Sequence, residues 1–405
     1  MSSLASSEGN TETTERSAAG EQPVIRRTGV SRACLGFAVL FLFAFAIQWK
    51  SGAYHTELSH WPDAPSHVIN SLLLRDYIGH YLGQNAMHVA EQYYVHYPKV
   101  SIGMWPPLYY GVAGVWMLIF GFSTPSTLIL AALTASMLAA IVGWIVSRDF
   151  GFGWGVAAGL LTLSLPQIVF GYCVFILDIP VAVMQLLSII ALVRYLNSRK
   201  FIHAVWFGIL AMLAMLTKGN AIALALATPI LILVTRSWWV FRKPGLYVST
   251  AIIAGVAFPW HLFSLHIYAT TDLIDPTNIT NPSSSFGSVW WNKVVGYVRL
   301  LRYDVGIPLL IPAVAGFILS LTRKAGLVSP DKPDGRQPVH YITGVGCLTA
   351  GSMVFHGLIP IPVDERYMTT TYACIIVFFF TGAWWLAAKL GSLIQWRIER
   401  RCFFA

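Results

Sequence analysis

Long uninterrupted apolar runs, separated by short polar segments, make up most of the chain. They fall at about 33–49, 127–147, 153–172, 180–196, 201–217, 219–235, 246–265, 305–322, 340–358 and 368–387. The pattern shows no alternation of period two, and a helical membrane span needs about 20 apolar residues. Each run therefore predicts a transmembrane helix. In lipid this form satisfies every backbone polar group within the segment. An eleventh run, 107–122, is the shortest. It opens at Pro106-Pro107 and holds Tyr109, Tyr110 and Trp116. Aromatic residues collect at the membrane surface, so this run predicts a helix lying at the interface. The count is thus about ten spans, with both termini cytosolic.

The segment between the first span and the interfacial run differs from the rest. Residues 50–104 carry Glu57, Asp63, Asp76, Glu91 and six histidines. A loop of this length is usually functional. Residues 1–28 are rich in Ser, Thr, Glu and Gly, which predicts a disordered tail. The first apolar run has no small-residue cleavage site after it, so no signal peptide is expected. The predicted organisation is a cytosolic tail over 1–32, a transmembrane domain over 33–390 whose outer loop at 50–126 carries the chemistry, and a second cytosolic tail over 391–405.

Composition supports the membrane assignment. Hydrophobic residues make up 56% of the chain and charged residues 11%, with a mean hydropathy of +0.62. Ordinary soluble domains have about 45–50% and about 25%. The net charge of +9 does not point to nucleic acid, because the basic residues lie in short groups between apolar runs. With ten spans, 19 of the 27 Lys and Arg residues fall on the cytosolic side, the bias the positive-inside rule requires. An eleven-span arrangement, with the N-terminus outside, places 18 there and separates Asp63 from Asp178 across the membrane. The five cysteines form no CxxC pair and are expected to be apolar fillers.

Several ionisable residues stand apart. Asp63 lies in Trp61-Pro62-Asp63-Ala64-Pro65-Ser66-His67, a sequence suited to a helix start, and His67 shares its face one turn on. Asp178, in Leu177-Asp178-Ile179-Pro180, is an isolated carboxylate between two apolar runs. Lys218, in Thr217-Lys218-Gly219, is an equally isolated cation. Such residues are costly at membrane depth and are functional candidates by default. Simpler readings are available for each: an N-cap for either aspartate, snorkelling for Lys218, and an Arg–carboxylate pair at a helix start for Asp364-Glu365-Arg366-Tyr367. Arg75 and Lys99 add cations to the outer loop, and Lys99 precedes the aromatic stretch Trp105-Pro106-Pro107-Leu108-Tyr109-Tyr110. Under the ten-span arrangement all of these face one compartment. Two carboxylates and several cations at one membrane face suit a lipid-linked phosphate donor. The cations would hold the phosphate, and a carboxylate would serve as general base toward an acceptor.

With these motifs in order, the chain resembles the GT-C fold glycosyltransferases of the protein mannosyltransferase and aminoarabinose-transferase type, including bacterial members related to the rhizobial lipopolysaccharide galacturonosyltransferases. The markers are Pro62-Asp63, Trp105-Pro106-Pro107-Leu108, Leu177-Asp178-Ile179-Pro180, Thr217-Lys218-Gly219 and Arg366-Tyr367. The resemblance covers about residues 30–390. It implies an all-α polytopic bundle of about ten transmembrane helices, with juxtamembrane helices in a long first outer loop. It also implies transfer of a sugar from a polyprenyl-phosphate carrier to an acceptor glycolipid, lipopolysaccharide or protein at the outer face of the membrane. For a bacterial chain this is the periplasmic face of the inner membrane. Asp63 is then the expected base and Asp178 a second acidic site residue. His67, Arg75, Lys99, Lys218, Arg366 and Tyr367 are expected to bind substrate. In some members such acids also touch a divalent metal, which would here fall to Asp63 and Asp178. The chain departs from the family pattern in two places. Asp63 is followed by Ala64 where mannosyltransferases have Glu, and Trp105 stands where many bacterial members have Lys before Pro-Pro, with Lys99 offered as the replacement cation. The large outer C-terminal domain of some relatives is not expected. A non-catalytic partner of a glycan assembly complex and a carrier or flippase for a lipid-linked solute are the competing readings.

Overall fold

The computed structural model describes residues 22–56, 61, 63–101, 103–270, 286–322, 338–359 and 363–403. Residues 1–21 of the expected tail, most of the stretch 323–339, Pro62 and Asn278-Ile279-Thr280 lie outside the described residues; from Gln22 the chain is helical, so residues 22–28, expected to be disordered, are not. The described chain is helical and contains no strand.

Helix α1 (Gln22–Lys50) is followed by α2 (Asp63–His80), α3 (Ala86–His96) and α4 (Leu108–Phe120). Next come α5 (Thr124–Phe150), α6 (Phe152–Ser164), α7 (Pro166–Val174), α8 (Asp178–Ser198), α9 (Phe201–Met215) and α10 (Ala223–Thr235). The last are α11 (Pro244–Thr270), α12 (Phe286–Val305), α13 (Ile307–Ser320), α14 (Tyr341–Leu358) and α15 (Thr369–Phe403).

Five segments are long and apolar enough to cross a membrane: Val30–Lys50, Thr124–Phe150, Asp178–Ser198, Pro244–Ile267 and Glu365–Ser392. The α6–α7 pair makes a sixth, bent by 69° at Leu165-Pro166. The other four expected spans correspond to α9, the segment 219–235, α13 and α14, which are shorter or less apolar. Many large apolar side chains point outward, among them Leu42, Trp154, Leu233, Leu265, Ile311 and Ile318. A water-facing surface does not carry so much exposed apolar area, whereas lipid accommodates it. The chain is an integral membrane protein.

Between helices the packing is close where glycines meet. A Cβ on Gly143 of α5 would lie 2.5 Å from the Gly155 carbonyl of α6, and one on Gly155 would lie 2.6 Å from the Gly143 carbonyl. Small residues bring membrane helices together because lipid supplies little hydrophobic drive between them. Gln48, fully buried near the end of α1, donates to the carbonyls of Leu128 and Tyr172 and accepts from the Tyr54 hydroxyl. It ties α1, α5 and α7 together just before the chain reaches Asp178.

One feature of the outer segments was not predicted from the apolar runs. The segment between the apolar runs 246–265 and 305–322 contains α12, whose buried Tyr297, Leu301 and Val305 recur every fourth residue and form one apolar face. The interfacial run is the 13-residue helix α4, about 20 Å long at 1.5 Å per residue. It packs along α2, and Gly114 admits the α2 backbone so closely that a Cβ there would lie 2.8 Å from the Arg75 nitrogen.

Candidate functional site

Asp63 is the first residue of α2, and His67 follows one turn later on the same helix. Asp178 opens α8 after a sharp turn. That turn holds Phe175 at φ 59°, a left-handed conformation unfavourable for a bulky residue. Phe175 is buried with its ring 5.9 Å from that of Tyr109, so packing imposes the strained turn that delivers Asp178. Lys218 sits in the extended link between α9 and α10, and Arg366 and Tyr367 lie in a 3-10 turn just before α15. The Leu108 amide donates to the Leu216 carbonyl at 3.0 Å. That bond joins the Pro-Pro-Leu element directly to the Thr-Lys-Gly turn.

These residues converge at one end of the bundle. Arg366 Nη1 donates to Asp63 Oδ2 at 2.5 Å. Its Nε and Nη2 donate to the Asp364 carboxylate at 2.7 to 3.1 Å. The guanidinium carbon lies 4.7 Å from the Trp61 ring centre. Lys218 Nζ donates to Asp178 Oδ1 at 2.6 Å and lies 5.4 Å from the centre of the Tyr367 ring. Tyr367 stacks on His356 of α14, 5.9 Å between centres at 17°. The two ion pairs are thus linked through Tyr367, which an arrangement with Asp63 and Asp178 on opposite membrane faces would not allow.

The two carboxylates have different surroundings. The Asp178 side chain is 1% exposed, and its Oδ2 is buried with no hydrogen-bond partner among the described residues. The Asp63 side chain is 30% exposed. His67 is buried, with Nδ1 2.8 Å from the Tyr110 hydroxyl and its ring 4.6 Å from that of Trp105. Burial holds its pKa well below the usual histidine value, and the charges of Lys218 and Arg366 push it the same way. His67 is therefore a neutral hydrogen-bonding group at neutral pH.

Of the residues singled out in the sequence, Asp63, His67, Asp178, Lys218, Arg366 and Tyr367 come together. Arg75 and Lys99 do not join them. Arg75 pairs with its neighbour Asp76 at 2.6 Å, and Asp76 also accepts from the Tyr93 hydroxyl. Lys99 is exposed in the turn after α3 and forms no ion pair with a described residue. The Arg–carboxylate pair read from Asp364-Glu365-Arg366-Tyr367 is present, with Asp364 as the bidentate partner of Arg366. Sequence reasoning missed Trp61 as the stacking platform of Arg366 and His356 beneath Tyr367; His356 lies inside an apolar run and gave no signal. Among the described residues no group of three or more His, Cys, Asp or Glu side chains is placed to hold a metal ion. Asp63 and Asp178 each face a cationic side chain instead.

This helical membrane bundle, with its carboxylates and cations gathered at one end, has the GT-C fold of a solved structure. The chain matches two crystal structures of ArnT from Cupriavidus metallidurans, one bound to undecaprenyl phosphate and one in the apo state. Both give a TM-score of 0.55, at 17% and 16% identity. Each match covers 86% of this chain and 60% of the ArnT chain, so the shared part is well short of the whole of ArnT. Residues 105–263 match the family described as dolichyl-phosphate-mannose-protein mannosyltransferase. That stretch contains the Pro-Pro-Leu element, Asp178 and Lys218. No curated protein matches the chain at a significant level.

Proposed function

We propose that the protein is a glycosyltransferase. It moves a sugar from a polyprenyl-phosphate carrier to an acceptor glycolipid, lipopolysaccharide or protein, at the outer face of a bacterial inner membrane. The observation that carries this reading is the linked pair of ion pairs, Asp63–Arg366 and Asp178–Lys218, at one end of a GT-C bundle. In the reaction the acceptor hydroxyl or amine attacks the anomeric carbon of the sugar. The bond from that carbon to the phosphate oxygen breaks, and the carrier phosphate leaves with the electron pair. Asp63, the more exposed carboxylate, takes the acceptor proton. Arg366 and Lys218 receive the charge that develops on the departing phosphate. The phosphate competes with Asp63 for Arg366, so donor binding frees the base at the point where it is needed. Asp178 Oδ2, buried and without a partner among the described residues, accepts a hydrogen bond from a sugar or acceptor hydroxyl.

An apolar cavity of about 610 Å³ supports a lipid-linked donor. It runs from Trp105 and Tyr110, beside His67, past Leu73 and Met87 to Trp260 and Phe263 of α11. An isoprenoid chain suits such walls, with its phosphate emerging beside the cations. The crystal structure of ArnT bound to undecaprenyl phosphate supports the same donor class.

The test is sugar release from a polyprenyl-phosphate sugar pool by purified protein in detergent, with wild type beside Asp63→Asn and Asp178→Asn. A loss of orders of magnitude in Asp63→Asn, with unfolding behaviour unchanged, is expected. Release indifferent to both acids, or no release from any donor by wild type, would overturn the proposal.

A further inference from the structure

The far end of the bundle carries an apolar groove of about 390 Å³ between α5, α8 and α9. Trp144, Leu187, Ile190 and Leu210 form its walls, with Arg194 and His203 among its lining residues. Arg194 follows Asp178 by sixteen residues along α8, about 24 Å at 1.5 Å per residue. That separation approaches the apolar thickness of a bilayer, so this groove opens toward the membrane face opposite the acidic cluster.

Charge at this end is unbalanced. Arg194 is exposed and enters no ion pair among the described residues. Its guanidinium carbon lies 5.7 Å from the Trp144 ring centre, and Arg148 lies at the same distance from that ring. Asp149, at the end of α5, forms no ion pair with Arg194 among the described residues. Ala140 and Trp144 also line a second apolar groove of about 320 Å³, bounded by α1 and α6 and including Arg32. Two apolar troughs therefore flank Trp144, each with an arginine beside it. A ligand that fits has two hydrocarbon chains and a negative head group.

We propose that this end of the bundle binds an anionic glycerophospholipid, with its phosphate on Arg194 and its acyl chains in the troughs beside Trp144. Arginine suits the phosphate by its planar donor fork. A zwitterionic head group would bring an ammonium toward the same cations and bind less well. The site does not depend on the transferase reading, since it lies at the opposite end of α8.

The test is native mass spectrometry of purified protein titrated separately with dioleoylphosphatidylglycerol, dioleoylphosphatidylcholine and undecaprenyl phosphate. Wild type is expected to retain phosphatidylglycerol in preference to the other two. Arg194→Gln should weaken that retention about tenfold, as expected for loss of a charge-assisted hydrogen bond. Ala140→Phe fills the shared wall with the charges intact and should also release the lipid. Arg236→Gln, a cation outside both grooves, should leave retention unchanged. Equal retention of the two phospholipids, a preference for the isoprenoid phosphate, or full retention in Ala140→Phe would each overturn the proposal. Should Arg194→Gln not fold, the wild-type preference and Ala140→Phe still decide.

Discussion

Arg366 Nη1 lies 2.5 Å from the carboxylate of Asp63, a residue 303 positions earlier in the chain. The same guanidinium clasps Asp364 through its other nitrogens, so one cation spans two acids that come from opposite ends of the sequence. Lysine carries the same charge but lacks the planar fork and cannot hold both at once. Arg366→Lys is therefore expected to lower the rate of sugar release by about 100-fold or more while the protein stays folded, in line with the loss of one preorganised electrostatic contact. A single-turnover rate equal to wild type would show that Arg366 only ties the last helix to α2.

The buried pair Asp178–Lys218 gives a stability prediction with a built-in control. Removing one member leaves the other charge uncompensated, which costs about 3–5 kcal/mol, whereas replacing both is often close to neutral. Lys218→Met should lower the thermal midpoint in detergent sharply. The double variant Asp178→Asn/Lys218→Met should recover most of that loss without recovering activity. If the double variant is no more stable than Lys218→Met, the two side chains are not coupled as the 2.6 Å contact requires.

His67 sets a pH dependence whose sign follows from its environment. Its folded pKa is lowered, so below the unfolded value of about 6.5 the unfolded chain binds the proton that the folded site refuses. Stability from this group is present above about pH 6.5 and is lost as pH falls below it. Unfolding midpoints measured from pH 8 to pH 5 should fall in wild type and fall less in His67→Asn, which keeps a hydrogen-bonding group toward Tyr110. Parallel curves would show that His67 does not titrate between the two states.

Gly114 controls the position of α2. A Cβ there meets the Arg75 backbone at 2.8 Å, and backbone cannot swing aside as a side chain can. Gly114→Val should cost about 1–3 kcal/mol by overpacking, and it should shift Asp63 and His67 away from their partners. Gly111→Ala on the same helix meets open space and should be silent. Activity that survives Gly114→Val at wild-type level would mean that α2 does not need α4 to hold the site.

The membrane bundle could be read from the sequence because continuous apolar runs are a local signal, and lipid leaves a chain few choices besides helix. Asp178 and Lys218 could be read for a related reason, since an isolated charge in an apolar run is costly and stands out. Partnership could not be read in the same way. Arg75 and Lys99 were as plausible as Lys218 on charge and side, but Arg75 turns to Asp76 and Lys99 stays in water. Which cation meets which acid depends on how α2, α8, the Lys218 link and the turn before α15 are brought together. That is settled by close contacts such as Gly114 on Arg75 and Leu108 on Leu216, between residues far apart in the chain. The sequence alone determined an all-helical membrane protein and the residue types able to handle a phosphate and a proton. Only the tertiary structure joined Asp63 to Arg366, set Tyr367 between the two ion pairs and left one oxygen of Asp178 buried without a partner among the described residues. Hydropathy acts residue by residue, whereas a site is built from packing across the whole chain.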